Sequence, residues 1–373
     1  MKVNNENYRT IWQSRDNKEI VKIIDQRYLP HKFVIKEISS YLEAIEMIND
    51  MAVRGAPLIG GMTAWGIFLS GLEAKYKNKN KEFIINACNE FLKTRPTAVN
   101  LSWAVERICR AIDGLNDIEA IIKVLESEAE NICDEDVENS TRIGNHGLEI
   151  IREIANQKAD KTVNILTHCN AGWLATIDKG TATAPIYAAR DAGIDVHVWV
   201  DETRPRNQGS NLTAWELLEE GIKHTVIVDN AGGHLMQHGK VDLCIVGSDR
   251  TTRSGDVGNK IGTYLKALAA YDNNVPFYVA LPESTIDWKI TDGLKDIPIE
   301  IRDSKEVEYI SGFSEDQIKS VRIMPEDSSS MNFSFDVTPS KFVTGLITPR
   351  GVCKANETDI LKLFPEFSSG GNS

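Results

Sequence analysis

Two residues capable of acid–base or nucleophilic chemistry directly follow short apolar runs in the second half of the chain. Cys169 follows Val163 to Thr167, and Asp249 follows Leu243 to Val246. Backbone amides at a strand end lower the pKa of a thiol, so Cys169 is a candidate catalytic residue, the alternative being a small core side chain. Asp249 is a candidate acid, the alternative being a helix cap or a partner of Arg250.

Cations and glycines suited to binding an anion stand in separate segments. Arg54-Gly55-Ala56-Pro57 joins a guanidinium to a glycine that permits close backbone approach, although a plain helix-entry turn has the same pattern. Asn259 and Lys260 fall in a glycine-punctuated loop that we expect to open a helix over 259–271, and helix N-termini bind phosphate. Arg95-Pro96-Thr97 and Arg204-Pro205-Arg206 are further candidate segments for binding an anion.

Motifs for nucleotides and metals are weak. The chain has no GxxxxGK[ST], and no GxGxxG follows the first strand of its second half, which disfavours bound ATP or NAD. His234 and His238 are four residues apart as in a zinc-binding helix, but Leu235 stands where HExxH has its glutamate. Two ordinary histidines are therefore favoured, and we expect no metal and no cofactor.

The hydrophobic pattern differs between the two halves of the chain, and each half must supply elements that position these residues. The first half predicts two short strands and then mostly helices, at 8–12, 19–24, 41–48, 83–92, 101–112, 118–132 and 141–154. The second half alternates apolar runs with helical segments, the runs being 163–167, 195–200, 224–228, 243–246 and 277–280. The helical segments are 181–192, 211–220 and 259–271, with a turn at 232–237. Such alternation predicts βαβ units in a doubly wound parallel sheet.

Polar residues follow every one of these five runs. They are His168-Cys169-Asn170, Asp201 to Arg204, Asp229-Asn230, Ser248-Asp249-Arg250 and Glu283-Ser284-Thr285. Open α/β sheets bind ligands at the carboxyl ends of their strands. The sequence therefore predicts a binding site along this edge.

Composition limits the partners. The chain has 373 residues, 42% hydrophobic and 26% charged, with a formal net charge of −12, which is typical of a globular protein and disfavours binding to nucleic acid or anionic lipid. A phosphate substrate remains possible, because one phosphate needs only a few local cations. The longest apolar stretch, Leu58 to Leu72, predicts a buried helix and no membrane span. Six cysteines without a CxxC pair, and no signal-like start, indicate reduced thiols and a cytoplasmic location.

Five motifs in order resemble methylthioribose-1-phosphate isomerases, and the resemblance covers the chain to about Val352. They are Arg54 to Gly60, Arg95 to Leu101, Thr167 to Gly172, Asp201 to Gly209 and Gly255 to Tyr264, joined by Pro276 to Asp287 and Phe335 to Pro339. Gly232-Gly233-His234, Trp173 and a longer stretch over 312–331 depart from the family pattern.

The resemblance implies an aldose–ketose isomerase that converts 5-methylthioribose 1-phosphate to 5-methylthioribulose 1-phosphate in methionine salvage and acts as a homodimer. It also implies a mostly helical N-terminal domain with a small antiparallel sheet (1–155), a Rossmann-like catalytic domain (156–353) and a partly disordered tail (354–373). By the same resemblance Asp249 is the proton donor and Cys169 a transition-state stabiliser or base. The substrate-binding residues that it implies are Arg54, Gly55, Ala56, Arg95, Gln208, Asn259 and Lys260.

Two alternatives stay open. The first is a 5-deoxyribose-1-phosphate isomerase, whose substrate has a smaller substituent at C5. The second is a non-catalytic subunit like the regulatory subunits of the initiation-factor exchange complex, which share the fold. Because the anomeric oxygen carries the phosphate, ring opening needs an acid on the ring oxygen, so we expect a dry setting that raises the pKa of Asp249.

Overall fold

The computed structural model describes residues 1–95, 98–159 and 161–368. The N-terminal segment forms a hairpin of β1 (Lys2–Val3) with β2 (Glu6–Asn7), and then a three-stranded antiparallel sheet of β3 (Ile11–Gln13), β4 (Val21–Ile24) and β5 (Ile35–Ile38). The small antiparallel sheet is thus confirmed. The pattern of the sequence does not predict β5, since Ile38 is the one buried residue of that strand.

Five helices follow within the described residues. They are α1 (Tyr41–Asn49), α2 (Ala56–Tyr76), α3 (Lys81–Phe91), α4 (Val99–Ala111) and α5 (Ile118–Gln157). Helix α2 is apolar on every side and lies at the centre of the first core, as a helix without a polar face must. The buried helix predicted from its apolar run is confirmed.

Helix α5 replaces two predicted helices. It runs unbroken for 40 residues, because the segment between the two predicted helices keeps Cys133 and Ser140 on the buried stripe and contains no proline. Its first half packs in the helical core, and residues such as Ile143 and Ile151 pack against the sheet of the second half. One helix therefore joins the two halves, and a division at residue 155 stays a prediction.

The second half alternates strands and helices. In chain order these are β6 (Val163–Thr167), α6 (Ala184–Asp191), β7 (Val196–Asp201), α7 (Ala214–Glu219), β8 (Lys223–Ile227), α8 (Ala231–Gln237), β9 (Leu243–Val246), β10 (Arg250–Thr252), β11 (Val257–Lys260), α9 (Thr263–Asp272), β12 (Phe277–Ala280), β13 (Ile286–Asp287), α10 (Gly293–Asp296), β14 (Ile301–Arg302), α11 (Lys305–Glu308), β15 (Tyr309–Ser314), β16 (Gln317–Arg322), β17 (Asn332–Phe333), β18 (Phe335–Thr338), β19 (Gly345–Thr348), β20 (Gly351–Cys353) and α12 (Glu357–Leu363).

The central sheet has seven strands in the order β20-β19-β12-β9-β6-β7-β8, parallel except for β20. From β6 the chain builds outward through β7 and β8, and then returns to place β9, β12 and β19 on the other side of β6. This reversal leaves a crevice beyond the carboxyl ends of β6 and β9. The predicted doubly wound parallel sheet is confirmed.

Asn259 and Lys260 lie on a strand, so the predicted helix over 259–271 is wrong at its start. Their strand, β11, pairs with β10 and with β18, which is more than seventy residues away in sequence, and a local pattern does not reveal such pairing. Helix α9 begins only at Thr263, after Gly262 turns the chain with a φ of 101°.

A hairpin and a short C-terminal helix lie beyond Pro298. Strands β15 and β16 form an antiparallel hairpin that the sequence pattern does not predict, and its Phe313 stacks on His31 with ring centroids 4.9 Å apart. Near the C-terminus, α12 buries Ile360, and Phe364 after it is also buried, while positions 369–373 of the predicted tail lie outside the described residues. Within the described ranges, no helix is long and apolar enough to cross a bilayer.

Candidate active site

Cys169 and Asp249 line the same small chamber at the crevice between β6 and β9. Each follows the carboxyl end of its strand, and the N-terminus of α2 closes the chamber from the helical half. The chamber is nearly filled, with a free volume of about 20 Å³, and Arg54 and Asn259 also line it. The structure therefore brings together the two candidate catalytic residues, although they are 80 positions apart in sequence.

Gly55 and Ala56 place the start of α2 against the chamber. Gly55 precedes the helix with a φ of 94°, and a Cβ there would lie 2.5 Å from Ala175 backbone atoms, so a side chain is excluded twice over. The first-turn N–H groups of a helix lack intrahelical partners and carry partial positive charge. The chamber thus has an anion-binding wall made of backbone.

The Arg54 guanidinium is buried and held by the residue after Cys169. One nitrogen, Nη1, donates to the Asn170 side-chain oxygen, and Nη2 donates to the Asn170 carbonyl oxygen at 2.7 Å. The same Nη2 lies 3.8 Å from the Cys169 sulfur. The guanidinium is therefore fixed beside the thiol.

Burial raises the pKa of the Cys169 thiol, while Arg54 and Lys260 oppose that rise. The lowered pKa expected from the strand-end position is therefore wrong for this thiol. The residue has a φ of 67°, and its N–H donates to the Thr203 hydroxyl at 2.9 Å. Desolvation outweighs the backbone amides here, because the thiol is only 6% exposed.

Burial also raises the pKa of the Asp249 carboxyl group. The residue is partly exposed and lines the chamber, and Lys260, Arg95 and Arg54 act against the rise. Its own N–H donates to the Gly258 carbonyl oxygen at 3.0 Å, which ties the loop to β11. A raised pKa is what a carboxylic acid needs to hold a proton near neutral pH.

Two more cations approach from other directions. Lys260 is buried, donates to the Ser334 carbonyl oxygen at 2.7 Å and lies 4.6 Å from the centroid of the Phe335 ring. Arg95 is buried with its Nε 3.3 Å from a Glu300 carboxylate oxygen, and Pro96 and Thr97 of its motif lie outside the described residues. Three cations thus face Asp249 and Glu300, a surplus of positive charge that suits a phosphate.

Gln208 lies at an outer cleft of about 490 Å³ that shares Arg54 with the chamber. Its side-chain oxygen is buried and finds no hydrogen-bond partner among the described residues, so it is available to a ligand. Arg206, two residues earlier, pairs instead with Glu306 at 3.0 Å, and the Arg204 guanidinium donates to the Val307 carbonyl oxygen. The structure therefore does not bring these two arginines into the chamber.

A second polar cluster lies at the carboxyl ends of β6, β7 and β8. His168, Asp201 and Asp229 place one possible ligand atom each within 4.8 Å of one another. The Lys266 ammonium group is buried beside them, 3.1 Å from an Asp201 oxygen. The rings of His234 on α8 and of His238 directly after it lie 4.3 Å apart.

Sequence reasoning missed the groups that hold the chamber in shape. Asn170 lies in the motif Thr167 to Gly172 without a predicted role of its own, and Glu216 lies in the predicted helix 211–220. Glu216 is fully buried on α7 and reaches Asn170 at 2.9 Å. The available signal was a glutamate between Trp215 and Leu217, since a buried carboxylate must be hydrogen-bonded.

Comparisons with known proteins agree with one another. The model of the initiation factor 2 subunit family matches residues 52–355. The chain is 57% identical to a methylthioribose-1-phosphate isomerase of Desulfatibacillum aliphaticivorans over 98% of this chain and 99% of that protein, and 54% identical to one of Desulfosudis oleivorans over 96% and 97%.

Solved structures extend the comparison. The crystal structure of a 5-methylthioribose 1-phosphate isomerase from Pyrococcus horikoshii superposes with a TM-score of 0.81 at 38% identity, over 97% of each chain. A structure described as the delta subunit of translation initiation factor eIF-2B from A. fulgidus has a TM-score of 0.76 at 38% identity, over 96% of this chain and 100% of that one.

Proposed function

The chain belongs to the methylthioribose-1-phosphate isomerase family, within the initiation factor 2 subunit family, and on that premise we propose that it converts 5-methylthioribose 1-phosphate to 5-methylthioribulose 1-phosphate. One observation supports this most strongly. Cys169 and Asp249 line one small chamber that also presents Arg54 and the N-terminus of α2. An acid, a thiol and an anion-binding wall are the groups that this reaction needs.

Asp249 supplies the proton for ring opening. The substrate cannot open by losing a hydroxyl proton, because its anomeric oxygen is esterified to phosphate. Asp249 protonates the ring oxygen, the bond from C1 to that oxygen breaks, and positive charge develops at C1. The raised pKa of the carboxyl group keeps the proton available.

The hydrogen on C2 then moves to C1 with its electron pair. The hydroxyl group on C2 loses its proton to the Asp249 carboxylate, which leaves a ketone at C2 and restores the acid. This route needs no base at C2, and the raised pKa of Cys169 favours it because the thiol stays protonated. The polarisable sulfur stabilises the positive charge in this small chamber.

Arg54, Arg95 and Lys260 hold the phosphate, together with the backbone of Gly55 and Ala56. Asn259 lines the chamber, and Gln208 offers a buried oxygen without a partner among the described residues to a sugar hydroxyl group. Binding energy from the phosphate is then available to align the ring with the acid. These roles are proposals that variants at each position test.

Conversion followed by proton NMR tests the proposal. With 5-methylthioribose 1-phosphate we expect the anomeric proton signal to disappear at a rate proportional to enzyme concentration. Parallel samples contain 5-deoxyribose 1-phosphate, which differs only at C5, and ribose 1,5-bisphosphate, which carries extra charge there. If none of the three is converted, the isomerase proposal is wrong.

The alternative of a regulatory subunit has one specific observation in its favour. The A. fulgidus protein, described as an initiation-factor subunit, is as similar in sequence to this chain as the Pyrococcus isomerase is. A subunit that only binds has no need of a thiol and a buried acid in one chamber, so Cys169 and Asp249 favour the enzyme. Binding of the sugar phosphate without conversion would reverse this preference.

We further propose a homodimer that acts in the cytoplasm in methionine salvage. At the edge of the sheet, β8 leaves Val226 exposed, and Val228 after it is 60% exposed, a surface that suits a second copy better than water. Light scattering coupled to gel filtration measures the mass directly. A monomer at micromolar concentration would contradict the dimer.

A further inference from the structure

Glu216 is a buried carboxylate that the proposed reaction does not use. Each of its oxygens accepts two hydrogen bonds. Oε1 accepts from the Leu174 N–H at 2.8 Å and from the Asn170 amide at 2.9 Å. Oε2 accepts from the Trp173 N–H and the Tyr187 hydroxyl group, both at 2.9 Å. All four donors converge on one side chain.

This set of donors specifies a carboxylate. In a glutamine the amide NH₂ group would replace one oxygen, and in either orientation it would face a backbone N–H, of Leu174 or of Trp173, which cannot accept a hydrogen bond. The loop also wraps the carboxylate tightly, since a Cβ on Gly172 would lie 2.0 Å from a Glu216 oxygen.

Glu216 determines how the Asn170 amide is turned. The Asn170 NH₂ group donates to Glu216 and, at 3.2 Å, to the Thr213 hydroxyl group, so the side-chain oxygen must point the other way. That oxygen accepts from Arg54, whose second nitrogen lies 3.8 Å from the Cys169 sulfur. Thr213 also donates to the Cys169 carbonyl oxygen at 2.7 Å.

We infer that Glu216 is a positioning residue, which acts through Asn170 to hold the Arg54 guanidinium beside the Cys169 thiol. The catalytic importance of this role rests on the proposed function, but the geometric role does not. Glu216 lines neither the chamber nor the outer cleft, so it acts without touching the substrate. Its effect must therefore be visible at the thiol.

The pH dependence of alkylation of Cys169 by iodoacetamide measures this effect without any substrate. Peptide mass spectrometry separates Cys169 from the other five cysteines. The charged groups that face the thiol are Arg54, Lys260 and Asp249, and burial adds to them. In Glu216→Gln we expect the midpoint to move up by about half a pKa unit or more, because the Arg54 guanidinium is no longer held 3.8 Å from the sulfur. In an activity assay kcat/KM should fall by about tenfold to a hundredfold.

Loosened packing would have the opposite effect on the midpoint. Burial raises the pKa of this thiol, so local opening would move the midpoint down towards that of an exposed cysteine. An unchanged or lowered midpoint in folded Glu216→Gln would therefore overturn the inference. If the alkylation midpoint moves up in Glu216→Gln but the wild-type protein converts no sugar phosphate, the geometric role stands and the proposed function fails.

Asn170→Ala provides the second variant, because it cuts the link and leaves the other three donors on Glu216. It should shift the alkylation midpoint of Cys169 in the same direction. The double variant, with both Glu216→Gln and Asn170→Ala, should shift the midpoint no further than Asn170→Ala alone. If Glu216→Gln does not fold, an unshifted midpoint in Asn170→Ala overturns the inference.

Asp242→Asn is the matched control. Asp242 is a carboxylate at the amino end of β9, whereas the chamber lies at the carboxyl ends of the strands. It accepts hydrogen bonds from the Asn164 N–H at 2.7 Å and from Lys158 at 2.6 Å. Its loss should lower stability and leave the Cys169 midpoint unchanged. A shift as large as that of Glu216→Gln would show that general destabilisation moves the midpoint and would overturn the inference.

Discussion

Two acids at the same edge of the sheet, Asp249 and Glu216, have opposite surroundings. Burial raises the pKa of both. Around Glu216 the opposing influence is a set of four direct hydrogen bonds, whereas around Asp249 it is the charge of three cations. The comparison teaches that the supporting acid is satisfied by the fold, while the reactive acid faces a cavity and is left for a ligand to satisfy.

Replacing the reactive acid should have the largest effect. In Asp249→Asn the amide cannot protonate the ring oxygen, so kcat should fall by about a thousandfold or more, while KM changes by less than about tenfold, or 1.4 kcal/mol. Steady-state kinetics with 5-methylthioribose 1-phosphate measures both. Asp242→Asn is the control. A near-normal kcat in Asp249→Asn would show that Asp249 is not the reactive acid that the comparison with Glu216 assumes.

Replacing the thiol should lower kcat by about a hundredfold, which is the loss expected when one group that stabilises the transition state electrostatically is removed. Cys169→Ser keeps a small polar side chain but loses the polarisable sulfur. Cys244→Ser on β9 is the matched control, since Cys244 is a buried thiol that lies outside the chamber. It should lower the free energy of unfolding by about 1 kcal/mol and leave kcat unchanged. Full activity in Cys169→Ser would make Cys169 a packing residue.

Arg54→Lys should have a smaller effect, mainly on binding. A lysine keeps the charge but cannot donate to both Asn170 oxygens, so KM should rise by about tenfold with a smaller change in kcat. Inhibition by inorganic phosphate should weaken in parallel, and competition assays measure this. Unchanged inhibition by phosphate would place the anion elsewhere.

The smallest expected effect concerns stability. Because the folded-state pKa of Asp249 is raised, the folded chain binds its proton more tightly, and this stabilisation is lost as the pH rises through the folded pKa. Asp249→Asn has no proton to lose. Its free energy of unfolding should therefore increase relative to the wild type as pH rises from about 4. Chemical denaturation at a series of pH values measures the difference, and a constant difference would contradict the raised pKa.

Much of the sheet was predictable from local pattern. The strands β6, β9 and β12 have the bounds that their apolar runs predict, because parallel strands in the interior of a sheet are mostly buried and mostly apolar. The order of the strands then brings Cys169 and Asp249 together, which the rule for ligand sites in such sheets anticipates.

Features that depend on distant partners were not predictable. Asn259 and Lys260 lie on a strand only because β18 pairs with them, and α5 is continuous because its two halves pack against different cores. The pKa of Cys169 was predicted in the wrong direction, since a sequence shows the strand end but not how completely the chamber closes. The role of Glu216 required the contacts themselves.

The fate of the hydrogen on C2 tests the reaction in this chamber most directly. The measurement uses 5-methylthioribose 1-phosphate labelled with deuterium at C2, the wild-type protein in ordinary water, and NMR of the product. With Asp249 as the acid and Cys169 protonated, we expect 5-methylthioribulose 1-phosphate with the deuterium on C1. A product with solvent hydrogen at C1, or no product at all, would contradict this.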